Sequence, residues 1–412
     1  MSTARTAHPP ARNAEALPPV VPCDWLLMDN AGGTPPLCSV VEDLQAYLRR
    51  WPLLAGRHTA LASEAADATD QGRQALATLC QADGRRRPGP GELVLGTSTT
   101  QLLEVLAQAL APTLQPGDRI IVSGAEHVAN LTPWLRLARQ GVQVETWPLE
   151  PASGTPRLEI LARMLERPAR LVCVTHASNV TGSILPIADI SRLAHAAGAL
   201  VCVDGVAYAP HGTMAVYDWD VDFYTFSAYK MFGPHCAALY AREGLLAALP
   251  ENSHEFHAAD AVPARFEPGG VAGELVYACR SLPDYFRALG DGVLTRGFER
   301  LVEEEQQLTG QLLEGLAALP GVRVLGSPAP ARWRLPIVSF TVEGRRPDEV
   351  VSMLGRARIN IRHGHFYAPR TLAACGVDPQ AGALRISLTH RNTSQEVTRL
   401  LEVLTDTLAV AA

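Results

Sequence analysis

Leu200-Val-Cys-Val-Asp204 and Phe223-Tyr-Thr-Phe-Ser227-Ala-Tyr-Lys230 each join a short apolar run to a polar end. An apolar run without polar alternation is what a strand buried on both faces requires, and that burial arises when helices cover both sides of a parallel sheet. The two polar ends lie 230 − 204 = 26 residues apart, about one strand–helix–strand unit, which predicts neighbouring strands.

Outward from this pair the same reading repeats between about residues 70 and 290. Leu93–Leu95, Arg119–Ser123, Val142–Trp147, Leu171–Thr175 and Ala237–Tyr240 read as further strands, and 102–114, 157–166 and 187–197 as crossover helices. After about residue 290 the pattern changes to a long charged helix at Arg296–Leu319, strands at Val322–Leu325 and Ile337–Val342, a helix at 347–356, and a strand–helix unit over 384–410. The expected organisation is a disordered lead over 1–23, an N-terminal segment over 24–45 whose partner the sequence leaves open, a large α/β domain over 46–290 and a smaller α+β domain over 291–412. The large sheet is expected to be mainly parallel with helices on both faces.

The 412 residues suffice for two or three domains, which excludes a peptide hormone or a lone binding module. Hydrophobic residues make up 47% and charged residues 19%, a balance suited to a folded globular chain. Lys+Arg 36 against Asp+Glu 42 leaves a net charge of −6 and no basic field to attract nucleic acid or an anionic membrane. A small-molecule substrate is the expected partner. The eight cysteines are scattered singly with no C-x-x-C pair, arguing against a zinc site or a disulfide framework. Met1–Pro22 lacks the apolar core of a signal peptide, and no run of about 18 apolar residues is present, so a soluble cytoplasmic protein is expected.

Polar residues gather at the C-terminal ends of the proposed strands, where open α/β sheets bind ligands. Gly96-Thr97-Ser98-Thr99 opens a helix and suits either a phosphate held by free N–H groups or an ordinary N-cap. Asp204 ends a buried strand and needs a partner; a protonated cofactor ring nitrogen would serve, as in the Asp–pyridinium pair that tunes pyridoxal phosphate, and so would a loop cap. Lys230 beside an apolar strand would have its ammonium disfavoured, which suits Schiff-base chemistry, although a snorkelling lysine reads the same way in isolation.

Taken together these residues, with Leu27-Met-Asp-Asn-Ala-Gly, Glu126-His127-x-Ala-Asn, Ser178-Asn179-Val-Thr-Gly, Asp222-Phe-Tyr-x-Phe-Ser227-x-x-Lys230-x-x-Gly-Pro and Arg385-x-Ser-Leu with Asn392-Thr393, make the chain similar to the class V aminotransferases over about residues 26–405. That family comprises fold-type-I pyridoxal 5'-phosphate enzymes, among them the cysteine desulfurases and selenocysteine lyases. The resemblance implies that Lys230 forms the internal aldimine, Asp204 pairs with the pyridine nitrogen, His127 stacks on the ring and Asn179 sits near the phenolic oxygen. It further implies that Thr97, Ser98 and Ser227 hold the phosphate, with Tyr229 standing where many relatives have histidine, and that Arg385 grips the substrate carboxylate, its planar fork being suited to it. Asn30 and His365 are expected beside Arg385 in substrate binding. A homodimer with sites at the subunit interface is also implied.

Departures from the pattern bear on the reaction. Where related desulfurases read Arg-x-Gly-His-His-Cys-Ala, this chain reads Arg362-His-Gly-His365-Phe366-Tyr367-Ala368, so Tyr367 replaces the thiol that accepts sulfur. Cys375 lies 375 − 367 = 8 positions further on. Ala207 stands for a usual Gln, and Gly269-Gly270 for a Gly-Thr pair. Tyr208 is the residue that would refill the space at Ala207.

The expected reaction is β-elimination from a cysteine S-conjugate, releasing a thiol with pyruvate and ammonia, with Lys230 as general base at Cα and Tyr367 as an acid. The competing readings are transamination, decarboxylating oxidative deamination, a desulfurase using Cys375, and a cofactor-binding or sulfur-carrier protein without catalysis. Substrate choice is expected to reside in the lead, in the 250–266 stretch with His254 and His257, and in the 361–372 loop.

Overall fold

A computed structural model of the chain describes residue 20 and residues 23–81, 86–151, 153–250, 258, 261–327 and 334–409. The expected lead, apart from Val20 and Cys23, and His254 and His257 lie outside the described residues.

The large sheet has seven strands: β1 (Leu93–Gly96), β2 (Arg119–Ser123), β3 (Gln143–Trp147), β4 (Leu171–Thr175), β5 (Leu200–Asp204), β6 (Phe223–Ser227) and β7 (Ala237–Ala241). Their order is β1-β7-β6-β5-β4-β2-β3, with β7 antiparallel to both neighbours and the others parallel. β2, β4, β6 and β7 are buried along their whole length, in keeping with their mainly apolar runs. β5 and β6 pair directly, with Asp204 opposite Thr225, so the 26-residue spacing does set adjacent strands.

Helices α1 (Cys38–Arg50) and α2 (Ala60–Leu79) escaped the periodicity reading because the buried stripe of α2 is largely alanine: Ala62, Ala65, Ala68 and Ala75 with Leu76 and Leu79. Small residues let α2 approach the helix Gly273–Ala278 closely. A Cβ at Gly72 would lie 1.9 Å from the carbonyl oxygen of Val276. The crossover expected at 102–114 is α3 (Thr99–Leu110); it starts earlier, where Ser98 accepts from Gln101 N–H as N-cap, and Pro112 limits its continuation to a short 3-10 turn. Next come α4 (Thr132–Arg136), α5 (Leu158–Met164) and α6 (Ile187–Ala196).

The second sheet is antiparallel, built from β8 (Val322–Val324), β9 (Ile337–Val342), β10 (Arg362–Gly364) and β11 (Ala383–Ser387) in the order β8-β9-β11-β10. α7 (Leu294–Ala317), α8 (Pro347–Arg356) and α9 (Ser394–Ala409) contribute Leu312, Leu354 and Leu400 to its core. The N-terminal segment joins this unit. Leu26–Leu27 pairs in parallel with Ile359–Asn360, Met28 is wholly buried in the same core, and Asp29 bridges to Ser387. That placement brings Asp29 to the face of β11 carrying Arg385, beside the ends of the large sheet.

Candidate active site

Five chain segments converge on one cavity at the C-terminal ends of the large sheet. It is bordered by Ser98, Thr99 and Thr100 at the start of α3, His127 and Ala129 after β2, Thr175, Ala177 and Asn179 after β4, Asp204, Val206 and Ala207 after β5, and Ser227, Tyr229 and Lys230 after β6. Asp204 is 4% exposed, and its Oδ1 accepts from Val206 N–H at 3.0 Å. Burial raises its pKa, opposed by that N–H and by the Lys230 ammonium. Lys230 ends the 3-10 turn Ala228–Lys230, and its pKa is pushed down to about 8, mainly by burial and then by Arg385.

This shift gives a prediction. A nucleophilic amine must be uncharged, so the second-order rate at which cofactor-free protein takes up pyridoxal phosphate is expected to rise about tenfold per unit between pH 6 and 7.5 and to level off above about 8. Stopped-flow absorbance from about pH 6 to 9.5 reads it, and a rate that goes on rising tenfold per unit above pH 8 would show that Lys230 keeps its ordinary affinity for protons.

His127 Nδ1 accepts from Ala129 N–H at 3.1 Å, and burial lowers the ring's pKa to about 4, so the imidazole is neutral with its proton on Nε2. A neutral ring suits stacking on a charged heterocycle. The preceding residue, Glu126, is buried. Its Oε1 accepts from Ser123 Oγ and Thr175 N–H, both at 2.5 Å, and its Oε2 from Asn130 Nδ2 at 2.7 Å. The carboxyl thereby ties the His127 loop to the end of β4. Burial raises its pKa to about 8, the Asp204 carboxylate adding to the effect while the hydrogen bonds oppose it.

At the other end of the cavity Ser227 Oγ and Thr99 Oγ1 are 2.7 Å apart beside the N-terminus of α3, whose free N–H groups and dipole favour an anion. Thr97 lies outside this lining. It is exposed, both its N–H and its Oγ1 donate to Gln101 Oε1, and it borders a separate pocket with His235 and Gly270. The hydroxyls of Ser98, Thr99 and Thr100 border the cavity instead, because the chain turns into α3 at Ser98. Tyr229 also borders it, stacked on His235 with centroids 4.6 Å apart. Gly269 and Gly270 have φ of +78° and +79°, a conformation that accounts for glycine where the family pattern has threonine. Ala207 borders the cavity, whereas Tyr208 stacks on His176 at 3.6 Å and does not.

A second, wider cavity of about 480 Å³ opens from the first and shares His127, Asn179, Tyr229 and Lys230 with it. One corner of it rests on a cross-strand pair, since Arg362 on β10 lies directly opposite Arg385 on β11. Two like charges so placed repel. Asp29 lies between them, Oδ1 accepting from Arg385 Nη2 at 2.7 Å and Oδ2 from Arg362 Nε at 2.6 Å. One anion for two guanidinium groups leaves a net positive charge facing the cavity. Arg385 is 3% exposed and also donates from Nη1 to Asn179 O, whereas the Arg362 side chain is 49% exposed. Arg362 is thus the cation the sequence reading passed over.

Asn30 and His365 border neither cavity. Asn30 Nδ2 donates to Leu27 O, Ser387 O and Asn392 Oδ1, fastening the N-terminal segment to β11. His365 is exposed, and its Nδ1 accepts from Tyr367 N–H at 3.0 Å. Phe366 and Tyr367 both adopt left-handed backbone, with φ of +51° and +57°, which costs roughly 1–3 kcal/mol each. Their surroundings hold the turn: Asn179 Nδ2 donates to Phe366 O at 2.7 Å and Val128 N–H to Tyr367 O at 2.8 Å. Asn179 spends an amide donor on this turn while bordering both cavities. Tyr367 is 58% exposed, with its ring 5.4 Å from that of His127. Cys375 is buried in an apolar cluster with Val180, Phe366 and Leu372, and burial raises its pKa. No cysteine borders either cavity.

A reactive amine, a buried carboxylate, a neutral imidazole and a hydroxyl-lined helix N-terminus around one cavity fit pyridoxal phosphate group by group. Among the described residues no helix is long and apolar enough to cross a membrane.

The family model for class V aminotransferases matches residues 26–400. The chain is 34% identical to the Aminotransferase-like protein FGM3 of Gibberella zeae over 385 residues, covering 91% of this chain and 93% of that protein. It is 32% identical to the Cysteine desulfurase-like protein ustD of Aspergillus flavus over 392 residues, covering 92% and 86%. Among solved structures, the apo cysteine desulfurase of Thermococcus onnurineus superposes with a TM-score of 0.84 at 25% identity, covering 94% of this chain and 95% of that one. The Escherichia coli cysteine desulfurase CsdA superposes at 0.80 with 29% identity, covering 94% and 96%.

Proposed function

The chain belongs to the class V aminotransferase family of pyridoxal-phosphate enzymes, and from that premise we propose that it cleaves the C–S bond of a cysteine S-conjugate by β-elimination. The observation that carries this reading is the wide cavity, which is bordered by Tyr367 and by no cysteine. A desulfurase needs a thiolate there to take sulfur. A C–S lyase needs only room for the group on sulfur, and about 480 Å³ lies within the range of cavities that hold drug-sized molecules.

When bound, pyridoxal phosphate supplies a carbonyl that captures the substrate amine and a ring that takes up the electron pair released at Cα. Arg385 and Arg362 receive the α-carboxylate, whose charge balances the excess left beside Asp29, and so fix which bond at Cα faces the ring. The Lys230 amine, with its depressed proton affinity, takes the Cα proton. Asp204 would keep the ring nitrogen protonated, and neutral His127 would cover the ring. The electrons of the C–S bond leave with sulfur, which takes up a proton, and Tyr367 donates a hydrogen bond to it. With the uptake of one water overall, the three-carbon remainder would leave as pyruvate and its nitrogen as ammonia. The homodimer and the cytoplasmic location belong to this proposal as well.

Single-turnover assays with S-substituted cysteines test it, with thiol, pyruvate and pyridoxamine phosphate measured together. Equal thiol and pyruvate are expected. Pyridoxamine phosphate would establish transamination, and aldehyde with carbon dioxide would establish oxidative deamination. Tyr367→Phe is expected to lower the thiol-release rate about 10- to 100-fold, in keeping with the loss of one hydrogen bond to developing charge. A wild-type rate would remove Tyr367 from the mechanism.

A further inference from the structure

The outer wall of the wide cavity carries a charge pair that the chemistry at Cα does not use. Thr100 and Glu104 are one turn apart on α3, Thr132 and Arg136 one turn apart on α4, and all four border the cavity. Residues four apart share a helix face, so both helices turn this polar stripe toward the opening. Glu104 Oε2 accepts from Arg136 Nη1. The Arg136 side chain is 54% exposed and that of Glu104 26%. Exposed ion pairs contribute little to stability, so the fold gains little from this one.

The stripe lies on the same rim as Tyr367. Val128 donates its N–H to Tyr367 O and begins the short turn that leads into α4 and Arg136. A substrate whose α-carboxylate sits at Arg385 and Arg362 has, in the same cavity as Tyr367, a third guanidinium within the lining for its sulfur substituent to meet. Of that guanidinium's five N–H donors, the contact with Glu104 occupies one and sets its orientation.

We propose that Arg136, oriented by Glu104, selects conjugates whose sulfur substituent ends in a carboxylate. This rests on the C–S lyase reading and names its substrate class. A guanidinium suits the task because it binds a carboxylate through two parallel N–H bonds.

The test compares S-(2-carboxyethyl)cysteine with S-propylcysteine on the holoenzyme. Binding is read from the change in cofactor absorbance and turnover from thiol release. The wild type is expected to prefer the acid by about 10- to 100-fold in kcat/KM, and Arg136→Gln to bring that ratio close to one by raising KM for the acid. Glu104→Gln should weaken the preference by a smaller factor. Arg136→Glu is expected to reverse it toward S-(2-aminoethyl)cysteine, a gain that a damaged fold cannot produce. No preference in the wild type, or the same preference in Arg136→Gln, overturns the proposal. Preferential binding of the acid that depends on Arg136, without thiol release, upholds the selectivity and overturns the lyase reading.

Discussion

Turnover of any amino-acid substrate is expected to fall by at least about 10⁴-fold in Lys230→Ala, because one side chain supplies both the covalent anchor and the base at Cα. The fold should survive. Lys230 lies in a short turn whose backbone is held independently, Thr34 N–H donating to Tyr229 O and Ala228 O accepting from both Met231 and Gly233. The same substitution has a second readout. Burial pushes the Lys230 pKa down to about 8, so below that pH the folded protein carries an ammonium that the unfolded chain solvates better. Cofactor-free Lys230→Ala is therefore expected to melt above the cofactor-free wild type, with the largest difference below pH 8 and none above about 10.5. Thermal unfolding at several pH values measures this, and a lower melting temperature for the variant at pH 7 would contradict the electrostatic account.

Asp204→Asn should lower kcat by about 10²–10³-fold, a loss comparable to removing one preorganised electrostatic group from a buried site. The substitution keeps the shape, since an amide oxygen can still accept from Val206 N–H at the end of β5. It removes the negative charge. Without that charge nothing holds a proton on the ring nitrogen, and the electron pair from Cα loses its sink. Lys230 remains, so cofactor content per chain should stay near one. Loss of the cofactor together with activity would mean that Asp204 acts in binding rather than in tuning the ring.

Much of this site could be read from the chain because each element end carries its own local signal. The runs before Asp204 and Ser227 are apolar on both faces, and the strands Leu200–Asp204 and Phe223–Ser227 begin and end where the reading put them. Once helices cover both faces of a parallel sheet, polar residues at the C-terminal strand ends have one place to gather. Hydroxyl residues at a helix start look alike in sequence, and only the turn at Ser98 decides that Ser98, Thr99 and Thr100 border the cavity while Thr97 borders another pocket. Glu126 carried a signal that went unused. It is a carboxylate immediately after a buried strand, so it had to find donors, and it found three.

Composition, strand periodicity and the ordered motifs determined that this chain builds a helix-covered, mainly parallel sheet with Asp204 and Lys230 on adjacent strand ends. Those are short-range properties, encoded in which residues alternate and where the apolar runs stop. The tertiary structure alone decided the Asp29–Arg362–Arg385 corner and the outer wall. Asp29 and Arg385 are 356 residues apart in sequence, and no spacing rule links them. They meet because Leu26–Met28 docks on the smaller sheet and because β10 and β11 pair in the register that sets Arg362 opposite Arg385. Likewise, Asn30 looks available in sequence but its amide is consumed in fastening that segment. A charged or amide side chain acquires its role from whichever partner the fold brings within hydrogen-bond reach, and that choice is made by packing rather than by neighbours along the chain.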